Sequence, residues 1–319
     1  MDNIMLSVIC TTYGHEKYLR QALDSILMQK VSFPIEVLIG EDCSPDNSRS
    51  ILKEYERKYP GFFTMIYRDE NFGAGKNFLD LGKRTKGKYI AFLELDDYWT
   101  DCYKLQKQVD ILESDKSIVA VAARTLIVDK NGNPTNEKYP ECTDEYYKWK
   151  HYLNWLLPGQ TASIVCKNLF LNWSGINAAL LSDVLLFPGD RKLAFLFLDS
   201  GKVYCMSEVV SAYRHVINDG FSYSASIKEY SALDFYEKYT SFYKSLLTYA
   251  YQYSSVRGII CSEKMYVRYN VHKKKHSGKN WLKYLLFDLD VRYKKRVLMF
   301  LAKKAMYRFL ATRMRLRFR

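Results

Sequence analysis

Apolar residues in the first hundred positions fall into short unbroken runs, separated by stretches where they recur every three or four residues. The first run occupies residues 6–10 (LSVIC); Tyr18, Leu19, Ala22, Leu23, Ile26 and Leu27 then recur at helical spacing across residues 16–28. A second run at 35–39 precedes a helix that begins near Asn47 or Ser48 and carries Ile51, Leu52, Tyr55 and Tyr59 on one face. A third run at 64–67, a glycine-containing loop at 71–76 and a helical stretch at 77–85 lead to the run Tyr89-Ile90-Ala91-Phe92-Leu93. Short apolar runs bounded by turn residues read as buried strands, and the periodic stretches as amphipathic helices. Strands alternating with helices predict an α/β fold, Rossmann-like, with a mostly parallel central sheet and helices on both faces. Ligands of such sheets collect at the carboxyl edge of the strands.

Beyond residue 100 the pattern predicts a helix at 104–112, a strand at 117–129, a turn at Asn131-Gly132-Asn133-Pro134 and a helix at 192–198. Residues 135–155 carry Tyr139, Tyr146, Tyr147, Trp149, Tyr152 and Trp155. Two readings stand for these rings: a platform on which a ligand stacks, or a packed aromatic cluster. After Ser226 the composition changes to Tyr-rich helical stretches, 227–253 and 259–269, with more helix from 281 onward. The expected division is an α/β domain at 1–225 and a helical, basic region at 226–319.

Charge sharpens that division. Of the 48 Lys and Arg, 16 lie in 272–319 against two acidic residues, Asp288 and Asp290, a net +14; the rest of the chain, with 32 basic and 33 acidic residues, is at −1. Val297, Leu298, Leu301, Ala302, Ala305, Met306 and Phe309 share one helical face, with Lys303, Lys304 and Arg308 largely off it. An amphipathic basic helix of this kind suits an anionic membrane surface, at about 1 kcal/mol per basic residue near the headgroups; the alternative is a solvated charged face packed on the catalytic domain. No nucleic-acid module is recognisable, so no nucleic acid is expected as partner. No run of about 18 uncharged residues and no signal peptide are read. Seven scattered cysteines without a CxxC pair suggest neither a disulfide framework nor a zinc site, and fit a reducing cytoplasm.

The chemistry concentrates where the strand at 89–93 ends, in Glu94, Asp96 and Asp97. Carboxylates this close repel one another, and a hard cation, Mg²⁺ or Mn²⁺, relieves that; the alternative is a solvated acidic turn. Such an ion fills its remaining positions with water and substrate phosphates, which makes a nucleoside diphosphate the matching ligand.

Three segments, SVICTTYGHEKYLRQALDSIL, EVLIGEDCSPDNS and GKYIAFLELDDYWTDCYKLQKQVDIL, together resemble family 2 glycosyltransferases of the GT-A fold, in the branch that builds bacterial capsule and O-antigen polysaccharides. The resemblance is dense over residues 4–113 and looser over 155–222. It implies donor-nucleotide contacts at Thr11, Tyr13, Glu41, Asp42, Lys76, Asp96 and Arg214, with Asp42 accepting from uracil N3–H, and Asp97 as the direct metal ligand. FPGDRKLAFLFLDSGKVYCMSEVVSAYRH resembles the segment whose GD aspartate is the general base, which points to Asp190, with Asp183 as the rival and a helix cap as the alternative role. His215 lies one residue short of the family histidine. The arginine of the family's NxGxxxARN loop is missing, leaving Lys76 to supply charge without a bidentate fork, and Cys102 stands where a proline is common. The resemblance implies an inverting, metal-dependent transferase. It would move a sugar from a nucleotide diphosphate, UDP by preference, to a lipid-linked glycan, peripherally on the cytoplasmic face of the plasma membrane. The competing readings are a non-catalytic basic membrane- or nucleic-acid-binding protein, and a nucleotidyltransferase, whose Gly-rich N-terminal loop TTYGHEKY matches poorly.

Overall fold

The computed structural model describes residues 4–171, 180–181, 189–216 and 231–278. The chain forms two compact units, residues 1–229 and 230–319.

In the first unit the expected alternation is present: β1 (Leu6–Thr12), α1 (Leu19–Leu27), β2 (Ile35–Glu41), α2 (Ser48–Lys58), β3 (Phe63–Tyr67), α3 (Ala74–Arg84) and β4 (Tyr89–Glu94). It continues with β5 (Tyr98–Trp99), α4 (Lys104–Ser114), β6 (Ile118–Val128), β7 (Tyr146–Tyr147), α5 (Trp149–Leu153), β8 (Val165–Lys167), α6 (Gly189–Ser200) and β9 (Lys202–Arg214). Among the described residues these strands make one nine-stranded sheet in the order β3-β2-β1-β4-β8-β6-β9-β5, with β7 on β9. β1, β2, β3, β4, β6 and β9 run one way and β5, β7 and β8 the other. The sheet is thus mostly parallel, as expected.

The core explains the run-and-period pattern. Leu6, Val8 and Cys10 of β1, Val37 and Ile39 of β2, and Ala91 and Leu93 of β4 pack with Leu19, Ala22, Leu23 and Ile26 of α1 in one buried cluster. A strand covered on both faces tolerates no polar alternation, hence the unbroken runs. Gly40 is required where it stands: a Cβ there would overlap the Asn77 side chain, whose amide donates to the Gly40 carbonyl at 2.9 Å.

Several boundaries differ from expectation. β1 and β2 extend two residues further, so Thr11 and Glu41 sit on strands rather than in loops. α3 begins at Ala74, which takes Lys76 out of the glycine loop into the first helical turn. α6 begins at Gly189, so Asp190 lies inside its first turn and is not the cap of a helix starting at 192. The aromatic segment is mainly packing: Tyr147 and Tyr152 are buried, and Trp149 and Tyr152 meet Phe195 edge-on at 5.3 and 6.0 Å.

The second unit is a pair of helices, α7 (Ala232–Tyr253) and α8 (Val256–His276). Ser231 and Asp234 form a reciprocal cap at the start of α7. Tyr239 and Tyr243 stack on Tyr269 at 5.2 and 5.0 Å, which explains the tyrosine-rich composition as helix-to-helix packing. Among the described residues no helix is long and apolar enough to cross a membrane. Asp183 and the amphipathic segment at 297–309 lie outside the described residues.

Candidate active site

β1 lies between β2 and β4 in matched register: Thr12 pairs with Glu41 and Thr11 with Glu94. The three strands therefore end at one level. The chain leaves the sheet there through two bonds, Asp42 N–H to Thr12 O at 3.1 Å and Leu95 N–H to Thr11 O at 3.0 Å. Thr11, Glu41, Asp42, Glu94, Asp96 and Asp97 consequently share one sheet edge.

These carboxylates do different things. Glu41 is fully buried and spent within the protein: it accepts from Arg49 Nε at 2.6 Å and from the Ser44 amide at 2.6 Å. It shapes the loop that carries Asp42. Asp42 is buried, with Oδ1 accepting from the Phe72 amide at 2.8 Å. Asp97 is buried too, and both its oxygens are engaged, Oδ1 by the Arg214 amide at 2.8 Å and Oδ2 by Gln160 Nε2 at 2.9 Å. Asp97 thus ties the end of β4 to the end of β9, and Asp96, with 17% of its side chain exposed, is the less buried member of the pair.

Glu94 is exposed as a whole residue, and the protein around its carboxyl, then Asp96 and Asp190, pushes that group up to about 7. Burial, then Asp96 and Glu94, raises Asp97 well above the carboxylate range against the opposing Arg214 amide. Asp190 is raised as well: burial dominates over the Arg191 amide, which donates to its Oδ1 at 2.6 Å. Asp190 is among the charges that raise Glu94, which relates the first turn of α6 to this strand edge. Arg191 fixes that turn, donating to Tyr152 O at 2.6 Å and Leu156 O at 3.2 Å with its guanidinium 3.7 Å over the Tyr152 ring.

Arg214 is buried, its guanidinium 4.5 Å over Tyr18 and 5.1 Å over Tyr98, with Nη2 bonded to Gln21. Tyr13 follows β1 and is partly buried; Lys76 is exposed on α3. His215 is turned elsewhere, its Nδ1 2.6 Å from Glu137.

Three neighbours of these residues, His15, Gln160 and Arg68, escaped the sequence reading, and Tyr139 figures there only as one of several rings. His15 places Nε2 3.8 Å from Asp96 while its buried Nδ1 has no partner among the described residues. Tyr139 stands edge-on to Tyr213 at 5.9 Å, and burial, followed by Asp190, raises its hydroxyl above the usual range. Gln160 holds Asp97, and Arg68 donates to Asn77 and Asp80 to fix the start of α3. Arg68 also lies 4.8 Å from the Phe72 ring, beside the loop that lacks its expected arginine.

A family model described as glycosyl transferase family 2 matches residues 7–178. TuaG of Bacillus subtilis, whose description assigns it provisionally to teichuronic acid biosynthesis as a glycosyltransferase, is 32% identical over 134 residues, 42% of this chain and 51% of that protein. An uncharacterised protein of Mycobacterium tuberculosis is 36% identical over 135 residues, 42% of this chain and 39% of its own. The match thus spans about half, or less, of the length of these curated relatives. Among solved structures, S. aureus TarS residues 1–349 in complex with UDP-GlcNAc aligns with TM-score 0.59 at 18% identity, covering 91% of this chain and 77% of that one. The mannosyltransferase PcManGT of Pyrobaculum calidifontis, in complex with GDP-Man and Mn²⁺, aligns with TM-score 0.53 at 14% identity, covering 97% and 83%. At these identities the structural likeness is one of fold.

Proposed function

Since the chain belongs to glycosyl transferase family 2 and has its GT-A fold, we propose that it is an inverting transferase that moves a sugar from a uridine diphosphate donor to a hydroxyl of a lipid-linked glycan, in the synthesis of a surface polysaccharide. The observation that carries this reading is the matched ending of β1, β2 and β4, which gathers Thr11, Asp42, Glu94, Asp96 and Asp97 at one sheet edge where a donor would bind. Asp190, in the first turn of α6, is among the charges that raise Glu94 there.

Asp42 takes the base, because a carboxylate accepts the single N–H that uracil offers. Thr11 and Tyr13 line the nucleoside side, Lys76 supplies an exposed cation, and Arg214, clamped between Tyr18 and Tyr98, serves the diphosphate. Asp190 accepts the proton of the acceptor hydroxyl as that oxygen bonds to the anomeric carbon and the bond to the diphosphate oxygen breaks. Attack from the face opposite the leaving group inverts the configuration. A carboxylate raised by burial is the better base for this step.

The donor set fits a hard divalent cation. Glu94 and Asp97 are raised partly by neighbouring carboxylates, a repulsion that a cation relieves. Among the described residues no group of three or more His, Cys, Asp or Glu is placed to hold a metal ion by itself; Mg²⁺ and Mn²⁺ are commonly held by one or two carboxylates with water and substrate phosphates. The sequence pointed to Asp97 as direct ligand; with both Asp97 oxygens already engaged, we place Asp96 against Mg²⁺ or Mn²⁺ and Asp97 behind it. When bound, the cation offsets the charge of the leaving diphosphate.

The basic segment at 279–319 would hold the enzyme at the inner face of the membrane, beside a lipid-linked acceptor. The test is a thermal-shift and donor-hydrolysis panel of UDP-, dTDP- and GDP-sugars with and without Mn²⁺. UDP donors should raise the melting temperature only with the cation and be turned over. A protein indifferent to every nucleotide would remove the reading, and a preference for GDP-mannose would reassign Asp42.

A further inference from the structure

Asp96 and Asp97 leave β4 side by side, and two free neighbouring carboxylates would both compete for a hard cation. The protein does not offer both. Asp97 is buried, with Oδ1 accepting from the Arg214 amide at 2.8 Å and Oδ2 from Gln160 Nε2 at 2.9 Å. Asp96 keeps part of its side chain in the open, and His15 Nε2, at 3.8 Å, is beyond hydrogen-bond length of it.

The two donors to Asp97 are supplied differently. The Arg214 amide belongs to the backbone of β9 and is fixed by the sheet. Gln160 is a side chain, fixed by the 3₁₀ turn Thr161–Ser163 that it begins. Its Oε1 accepts from the Ala162 amide at 2.6 Å, and its carbonyl accepts from the Ser163 amide at 2.8 Å and from Ser163 Oγ at 2.7 Å. A backbone amide can only donate, so Oε1 must face Ala162 and Nε2 must face Asp97. The side chain cannot turn over.

The turn is itself pinned from two sides. Trp99, two residues after Asp97, donates from Nε1 to Ala162 O at 2.9 Å, and Gln108 of α4 donates from Nε2 to Ser163 O at 2.8 Å and to Val121 O of β6 at 3.0 Å. Gly159 leads into the turn where a Cβ would stand 2.5 Å from Ser163 Oγ and 2.8 Å from Ala123 O, an approach to β6 that only glycine permits. To swing toward a cation beside Asp96, Asp97 would have to abandon Gln160 and leave a buried NH₂ without its acceptor. That weighs against the swing by about tenfold or more.

We propose that Gln160 is a positioning residue that withholds Asp97 from the cation, so that the protein takes up Mg²⁺ or Mn²⁺ together with the nucleoside diphosphate and not alone. This role rests on the donor reading above. Asp96 by itself gives a hard cation one carboxylate, and the remaining positions wait for phosphate oxygens and water. With Asp97 free, two carboxylates would hold the ion before any nucleotide arrived. Gln160 thereby couples the two ligands: each must tighten the other by the same factor.

The test is a titration of Mn²⁺ into the full chain, with and without UDP, followed by the paramagnetic resonance signal of the free ion. In the parent, UDP should tighten Mn²⁺ binding by about tenfold or more. Gln160→Met keeps the length and loses the donor, and Gln160→Glu keeps an acceptor for Ala162 and so preserves the turn. Both should bind Mn²⁺ alone about tenfold more tightly than the parent, with a smaller response to UDP. Adding Asp97→Asn should cancel that gain. A turn that merely loosened would weaken Mn²⁺ binding with and without UDP, the opposite sign. A parent whose Mn²⁺ affinity ignores UDP removes the donor reading and this role with it. A parent that responds to UDP, beside variants that are folded by circular dichroism yet bind Mn²⁺ alone no better, overturns the role of Gln160 and leaves the donor reading standing. A gain that survives loss of the Asp97 carboxylate overturns it as well.

Discussion

Asp96 and Asp97 are adjacent and chemically identical, yet their surroundings give them separate work. Replacing Asp96 by Asn should abolish Mn²⁺-dependent UDP binding in calorimetry and leave the melting temperature within about a degree, because its 3.8 Å contact with His15 is too long for a hydrogen bond. Asp97→Asn should behave oppositely. Its new NH₂ would face either the Arg214 amide or Gln160 Nε2, two donors, and Gln160 cannot turn over without losing its 2.6 Å bond from the Ala162 amide. A loss of about 1–3 kcal/mol in denaturant unfolding is expected. Asp190→Asn should keep UDP affinity while turnover falls by about 10²–10⁴-fold, and a drop in affinity instead would assign Asp190 to donor binding. The sequence carried the acidic residues themselves, because carboxylates after a buried strand stand out against its apolar run. Which of them face ligand was not legible. That depends on Gln160 and Arg214, whose positions relative to Asp97 are set by β8 and β9 rather than by local spacing.

At the scale of elements, runs and periods located β1 to β4, β6 and the helices between them, since burial on two faces or one leaves a plain pattern. The two-residue strands β5 and β7 have no period to read; they exist because β9 offers them a partner. α4 shows a second limit. Lys104 occupies a fully buried position on it, with Nζ 2.8 Å from Gln108 Oε1 and 4.6 Å from the Trp99 ring centroid, where a charged residue would be assigned to solvent. Burial lowers its pKa to about 7. The unfolded chain, with an ordinary lysine, therefore binds the extra proton between about pH 7 and its usual range near 10.5. Across that window the cost of burying Lys104 is relieved as pH rises, by at most about 1.4 kcal/mol per pH unit. Lys104→Met should accordingly be more stable than the parent at pH 7, with the advantage shrinking by pH 9 in paired urea titrations. An advantage that does not change with pH would mean that the lysine stays charged in its cavity.

The whole molecule divides its charge as unevenly as its structure. Residues 279–319 hold 13 Lys and Arg against Asp288 and Asp290, and α8 is complete before they begin. A chain ending at Gly278 should lose co-sedimentation with anionic vesicles, and binding by the full chain should weaken as salt shortens the Debye length from about 10 Å at 0.1 M to about 3 Å at 1 M. Vesicle binding that survives the truncation would move the attachment to the body of the protein. Within that body, β9 runs from Tyr204 and Cys205 to Arg214 at the strand edge, and its pairing with β6 slips between Ala122 and Arg124 and again before Thr125. Carried straight on from Ala122 and Cys205, the ladder would set Ser211 opposite Val128; the slips bring Arg214 there instead, and with it the amide that holds Asp97 and the guanidinium seated between two tyrosines.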